Sequence, residues 1–303
     1  MAEDLKNYRG VHAVLYALFD AREQVDHGAM AAQVDYCVAQ GCHGITVLGL
    51  ATEVLKLGFD ERVALARGVG KALGGRLPLS VTIAGNSVAE QVAMARAAQD
   101  AGADWLILQP PMVGAYGAGV YLDIFARVAD ATPLPVAVQN APQYLGRALS
   151  AEDLTRLKAR CPNLTAVKGE DAALGIRRIV EIAGKDLHIL GGRGGLEMTD
   201  SLRAGCKGFV LAPDVAPVAA RIFDLWQTGQ TDKAEALYAQ ALPAATFVMQ
   251  SLEHLITYGK RIFGANAGIA VHDRAPCLPV TPFGLETAMR WSGELRALAG
   301  AGE

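Results

Sequence analysis

Lys168 ends the apolar run Leu164-Thr165-Ala166-Val167 and is followed by Gly169-Glu170. An amine at the end of a buried strand can condense with a ketone to form a Schiff base. An ordinary lysine, with a pKa of about 10.4, is almost wholly protonated at neutral pH. A lysine used this way therefore needs apolar surroundings, and a carboxylate too close to it works against the reaction. Glu170 lies two residues on, so in a continuing strand both side chains face the same side. A carboxylate there can shuttle protons beside an imine. The plainer alternatives are a salt bridge between the two, or a lysine leaving the sheet for solvent.

Further candidates stand at the ends of similar runs: Gly49-Leu50-Ala51-Thr52-Glu53, Gln109-Pro110-Pro111, Gln139-Asn140-Ala141-Pro142 and Gly191-Gly192-Arg193. The first is expected to open a helix capped by Thr52, with the amides of Ala51 and Thr52 free to hold a carboxylate. Simple capping of a surface helix is the alternative. Arg193 is either an anion contact or the partner of Glu170 and Asp171. His12 and His43 read as core histidines, and Asp214 as a helix cap. Met112, Tyr116 and Tyr121 follow the fourth run and suit either the mouth of a site or a subunit contact.

These groups need a scaffold that gathers strand ends. Eight short apolar runs, at 11–15, 44–48, 79–83, 105–108, 136–138, 164–167, 187–190 and 208–211, alternate with stretches of helical spacing such as 87–99 and 151–160. Strands alternating with helices over about 250 residues predict an α/β fold, a closed (β/α)8 TIM barrel, whose strand ends share one mouth. An open dinucleotide-binding sheet would carry Gly-x-Gly-x-x-Gly after its first strand. The chain has Tyr16-Ala17-Leu18-Phe19-Asp20 there. The division expected is a barrel over residues 1–213 and a C-terminal helical extension over 214–303, packed on it.

Bulk properties narrow the class. Of 303 residues, 51% are hydrophobic and 19% charged, with net charge −3 and no basic stripe, which makes nucleic acid and anionic membrane surfaces poor candidates as partners. The first ten residues include acidic ones and lack an apolar core, unlike a secretory signal. No run approaches the length of a membrane span. Five scattered cysteines point to reduced thiols in a cytoplasmic protein. Cys37 and Cys42 with His43 are not expected to hold a metal.

In order, these motifs resemble the dihydrodipicolinate synthase / N-acetylneuraminate lyase superfamily over nearly the whole chain. The residues 49–53 stand where the family has its Gly-Thr-Thr-Gly-Glu-type loop, continued by Leu57-Gly58-Phe59-Asp60-Glu61-Arg62. Ala101-Gly102-Ala103-Asp104 through Pro110-Pro111, Val167-Lys168 and Ala204-Gly205-Cys206-Lys207-Gly208 follow in family order. Lys168 then resembles the Schiff-base lysine. Departures carry information too. Gln139 replaces the family's proton-relaying tyrosine, Tyr144 replaces the arginine of the synthases, and Met112-Val113 replace a Tyr-Tyr pair. A lysine-pathway synthase is therefore not expected. Val138-Gln139-Asn140-Ala141-Pro142 is similar to the Val-Gln-Asp-Ala-Pro of the L-2-keto-3-deoxyarabonate dehydratase branch, with Asn140 for Asp.

The resemblance implies a lyase acting on a 2-keto-3-deoxy sugar acid, most simply a dehydratase. Its carboxylate would sit on Ala51 and Thr52, with C2 on Lys168. Glu170 would move protons and Gln139 would orient the hydroxyl, with Asn140, Gly192 and Arg193 around the substrate. A pyruvate-dependent aldolase is the first alternative, and a non-catalytic 2-oxo acid binding or regulatory barrel the second. The resemblance calls for no cofactor and implies a homotetramer, with the helical tail near the mouth.

Overall fold

Strand-forming runs here are apolar almost throughout rather than alternating, as strands covered on both faces must be. In the computed structural model, which describes residues 8–300, they form β1 (Gly10–Val14), β2 (Gly44–Val47), β3 (Leu79–Ile83), β4 (Trp105–Leu108), β5 (Val136–Asn140), β6 (Leu164–Gly169), β7 (His188–Gly191) and β8 (Gly208–Leu211). Each pairs in parallel with the next, and β8 returns to β1, closing the eight-stranded barrel that the spacing predicts. Residues 1–7, which hold most of the segment read against a secretory signal, lie outside the described residues.

Helices fill the crossovers: α1 (His27–Ala39), α2 (Phe59–Leu73), α3 (Val88–Asp100), α4 (Ala118–Ala129), the short α5 (Pro142–Leu145), α6 (Ala151–Arg160), α7 (Ala173–Ala183), α8 (Met198–Ala204) and α9 (Ala216–Gln227). Several starts are written in the sequence. Asp26 accepts from the Ala29 amide, Ser87 from Glu90, and Ser150 and Asp153 close a reciprocal capping box. Because α9 packs on β1, the eighth strand–helix unit runs to Gln227. The boundary expected at 213 thus falls inside that unit rather than at its end.

The tail continues with α10 (Thr231–Val248), α11 (Leu252–His254), a π-helical turn at Leu255–Gly259, α12 (Lys260–Ala267) and α13 (Pro282–Leu298). No helix among the described residues is long and apolar enough to cross a membrane.

At the amino-terminal end of the strands His12 meets Trp105 edge to face, with ring centroids 5.4 Å apart. Burial holds its imidazole down at about 4, so it sits neutral in the core. Gly44 makes room for it, since a Cβ there would lie 2.1 Å from the ring. His43, by contrast, works at the periphery: its Nδ1 accepts from the Val11 amide, and its Nε2 meets Asp224 at 3.0 Å.

Candidate active site

β5 and β6 are in register with Gln139 opposite Lys168 and Asn140 opposite Gly169. That register, with the two-residue period of a strand, puts Gln139, Lys168 and Glu170 on one side. All three are buried. Lys168 Nζ lies 3.3 Å from Glu170 Oε1. Gln139 Nε2 donates to the other carboxylate oxygen at 2.5 Å, and Gln109 Nε2 donates to Gln139 Oε1 at 2.7 Å. Gln109 is itself held from behind, its carbonyl accepting from Gln91. The result is a buried relay, Gln109 to Gln139 to Glu170 to Lys168, with each contact fixing the rotamer of the next. Gly192 borders it closely, since a Cβ there would fall 2.5 Å from Glu170 Cγ.

Lys168 and Glu170 open on a small cavity shared with Leu50, Ala51, Tyr144 and Arg193. Its far wall comes from the tail, as Met249, Leu252 and Leu255. Arg193, at φ 53°, adopts the left-handed backbone that non-glycine residues rarely take. Its guanidinium pairs with Glu197 at 3.4 Å, not with Glu170 or Asp171. Of the two readings for Arg193, the geometry leaves the anion contact open and removes the partnership with Glu170. Tyr144 lines the same cavity as Arg193 and Glu170, and burial and the nearby carboxylate raise its phenol above the ordinary value against the opposing pull of Arg193.

The segment after β2 departs from expectation. It forms tight turns and a single 3-10 turn at Val54–Lys56, not an α-helix. The Thr52 amide donates to Gly49 O and the Glu53 amide to Leu50 O. The Thr52 hydroxyl, expected as a cap, donates to Leu15 O at 2.6 Å and tethers the segment to the loop after β1. The amides of Leu50 and Ala51 make no hydrogen bond among the described residues, so the free pair is Leu50 and Ala51 rather than Ala51 and Thr52. Glu53 takes the left-handed backbone at φ 55°. Lys56 reaches one of its oxygens at 2.5 Å, and fully buried Lys260 of the tail pairs with the other.

Asn140 points elsewhere. Its Nδ2 donates to Leu149 O at 3.0 Å, and its Oδ1 accepts from the Leu149 amide at 2.8 Å. Both ends of the amide are thus taken up in pinning the 141–149 connection, and the substrate contact expected of Asn140 is not what the structure gives it. Asp214 likewise does not serve as the N-cap of α9, a position held by Val215. It accepts from the Tyr16 hydroxyl at 2.8 Å in a buried pair. Burial pushes the Asp214 carboxyl up to about 6. Tyr121 is buried and bonded to Arg147 at 2.8 Å within the chain, while Tyr116 is exposed. Among the described residues no group of three or more His, Cys, Asp or Glu could hold a metal ion.

Sequence reasoning set Tyr144 at the synthases' arginine position without making it a site residue, and set the helical tail near the mouth without naming Met249, Leu252 or Leu255. Tyr144 stands four residues past the end of β5, a signal that was available. The tail residues leave none, because helical spacing does not say which end of a barrel a helix covers.

A barrel whose lysine and carboxylate meet at the strand ends is shared by several enzyme groups, so comparison with known proteins decides the family. The model of the dihydrodipicolinate synthetase family matches residues 7–289. The chain belongs to this family. Among curated proteins, the L-2-keto-3-deoxyarabonate dehydratase of Azospirillum brasilense is 28% identical over 242 residues, covering 78% of each chain. The 4-hydroxy-tetrahydrodipicolinate synthase of Bacillus subtilis (strain 168) is 26% identical over 240 residues, covering 78% of this chain and 82% of its own. Among solved structures, a catalytic lysine mutant of the sialic acid aldolase of Ruminococcus gnavus superposes with a TM-score of 0.90 at 18% identity, covering 98% of both chains. At that identity the likeness shows the fold alone. Family members are lyases, aldolases and dehydratases among them.

Proposed function

We propose that this family member is a Schiff-base lyase that dehydrates a 2-oxo acid bearing a hydroxyl on C4. The carrying observation is the buried contact of Lys168 with Glu170, backed by Gln139. The substrate carboxylate meets the Leu50 and Ala51 amides, with Arg193 lining the same cavity and Gly192 packed behind Glu170. The Lys168 amine adds to C2 and expels water, giving an iminium. That iminium acidifies C3. Glu170 takes the C3 proton, the C–H pair becomes the enamine, and the enamine expels the C4 hydroxyl, which leaves as water with the proton from Glu170. Hydrolysis of the remaining imine restores the amine. Gln139, an amide that cannot titrate, orients the carboxylate between these two duties.

The substrate class suggested by the dehydratase relative is a 2-keto-3-deoxy sugar acid. From a pentonate, loss of a C5 proton from the C3=C4 iminium, reprotonation at C3 and ketonisation of the C4–C5 enol would precede imine hydrolysis and give 2-oxoglutarate semialdehyde. The aldolase reading keeps a footing through Tyr144, because retro-aldol cleavage needs a base on the C4 hydroxyl and the phenol lies in the same cavity. The assembly expected with either is a homotetramer. Intact mass after borohydride reduction with pyruvate tests the imine, with Lys168→Ala as control. Product identity from 2-keto-3-deoxy pentonates and hexonates tests the reaction: semialdehyde supports the dehydratase, and pyruvate plus aldehyde supports the aldolase. No adduct with any 2-oxo acid would sink the lysine chemistry and favour a binding or regulatory role.

A further inference from the structure

The cavity beside Lys168 has a larger neighbour. A second cavity of about 380 Å³ lies between the 50–56 segment and the 252–257 stretch of the tail. Leu50 and Leu252 line both, so the two adjoin at these side chains. The larger one is walled mainly by Leu50, Val54, Leu55, Leu252, Ile256 and Leu278, with Glu253, Thr257 and Cys277 also lining it. Its central polar pair is already satisfied: Glu53 has one oxygen on Lys56 and the other on Lys260, and Lys56 also donates to Arg274 O at 3.0 Å. A polyhydroxylated chain placed against the leucine, isoleucine and valine walls leaves most of its hydroxyls without partners, which costs affinity. An apolar group gains by leaving water there. Space is no obstacle, since an apolar void of about 150 Å³ already admits benzene.

We propose that the substrate's carbon chain beyond C4 ends in an aryl or branched alkyl group, seated in this second cavity while C2 meets Lys168. The proposal rests on the Schiff-base reading of Lys168, keeps its C1 to C4, and replaces the hydroxylated end of the chain with an apolar one. It makes Ile256 and Leu278 specificity-determining residues although neither lines the lysine cavity.

The test is borohydride trapping at graded concentrations of pyruvate, 2-keto-3-deoxyarabonate and 2-oxo-4-phenylbutanoate. The expected half-saturating concentration for the phenyl acid is about tenfold or more below that for pyruvate, the scale expected for burying an aromatic group. The sugar acid is expected to gain nothing over pyruvate. Leu278→Gln, at a position 39% exposed and tolerant of change, and Ile256→Asn should each raise the phenyl acid's value at least about fivefold. Pyruvate trapping should stay at its wild-type value in both. Equal values for the phenyl acid and pyruvate, a sugar acid that traps more tightly, or a phenyl preference unmoved by both variants would overturn this proposal alone. No adduct with any of the three would overturn the Schiff-base reading as well.

Discussion

Glu170 is held from two sides, by the Lys168 amine and by the Gln139 amide, and this sets what its replacement should do. Glu170→Gln preserves size and most hydrogen bonding but cannot carry a proton. Imine trapping should therefore survive while turnover falls by about a hundred-fold or more, the usual worth of a positioned acid–base group. Loss of trapping instead would assign the carboxylate to holding the lysine in place. Asn140→Ala should behave differently. It strands the Leu149 amide and carbonyl and should lower stability by about 1–3 kcal/mol in urea unfolding, with half-saturation for pyruvate little changed. The contrast between these neighbours explains what was readable at this scale. Lys168, Glu170 and Gln139 are given by strand parity and strand ends. Asn140 sits one residue out of phase with Gln139, and its bond to Leu149 depends on how the 141–149 connection folds back, which spacing does not encode.

At the scale of elements, the eight strands were legible because buried parallel strands are short, apolar and separated by helix signals. Their observed limits lie within a residue or two of the runs. The segment 50–57 was misread as the start of a helix because Thr-x-x-x patterns look like caps wherever they occur. What decides its shape is long-range: Glu53 pairs with Lys260, 207 residues away, and Thr52 with Leu15. Without Lys260 the buried Glu53 carboxylate keeps only Lys56 as a counter-ion and loses the partner of its other oxygen. Lys260→Met should destabilise by about 1–3 kcal/mol, and adding Glu53→Gln should restore part of that loss. If the double variant is no more stable than Lys260→Met alone, the pair is not what fixes this segment. A thermal unfolding series on the four proteins makes the comparison.

Across the whole molecule, the buried Tyr16–Asp214 pair joins the loop after β1 to the start of α9. The carboxyl of Asp214 is raised from 3.8 to about 6 by burial, so the folded chain binds its proton more readily than the unfolded chain between those values. The linkage has a definite sign. The stability this group contributes is full below about 3.8 and is lost as pH rises through about 6. Asp214→Asn, which never ionises, should therefore be more stable than the parent at pH 7, by up to about 3 kcal/mol, and lose that advantage by pH 4. Paired urea titrations at the two pH values check this. A variant equally or less stable at pH 7 would show that the carboxylate's bonds outweigh its desolvation.

The Glu53–Lys260 pair also orders events in time. At about 5–20 residues per second, a ribosome needs roughly 10–40 s to travel the distance between these two positions. Throughout that interval the emerging chain has the anion without its buried cation, and the 50–57 segment must stay hydrated. The same stretch of tail supplies Met249, Leu252 and Leu255 to the lysine cavity. A nascent chain halted after β8 therefore has Lys168 already synthesised while the tail wall of its cavity is still unmade, so the lysine cavity is among the last parts of the barrel mouth to be completed.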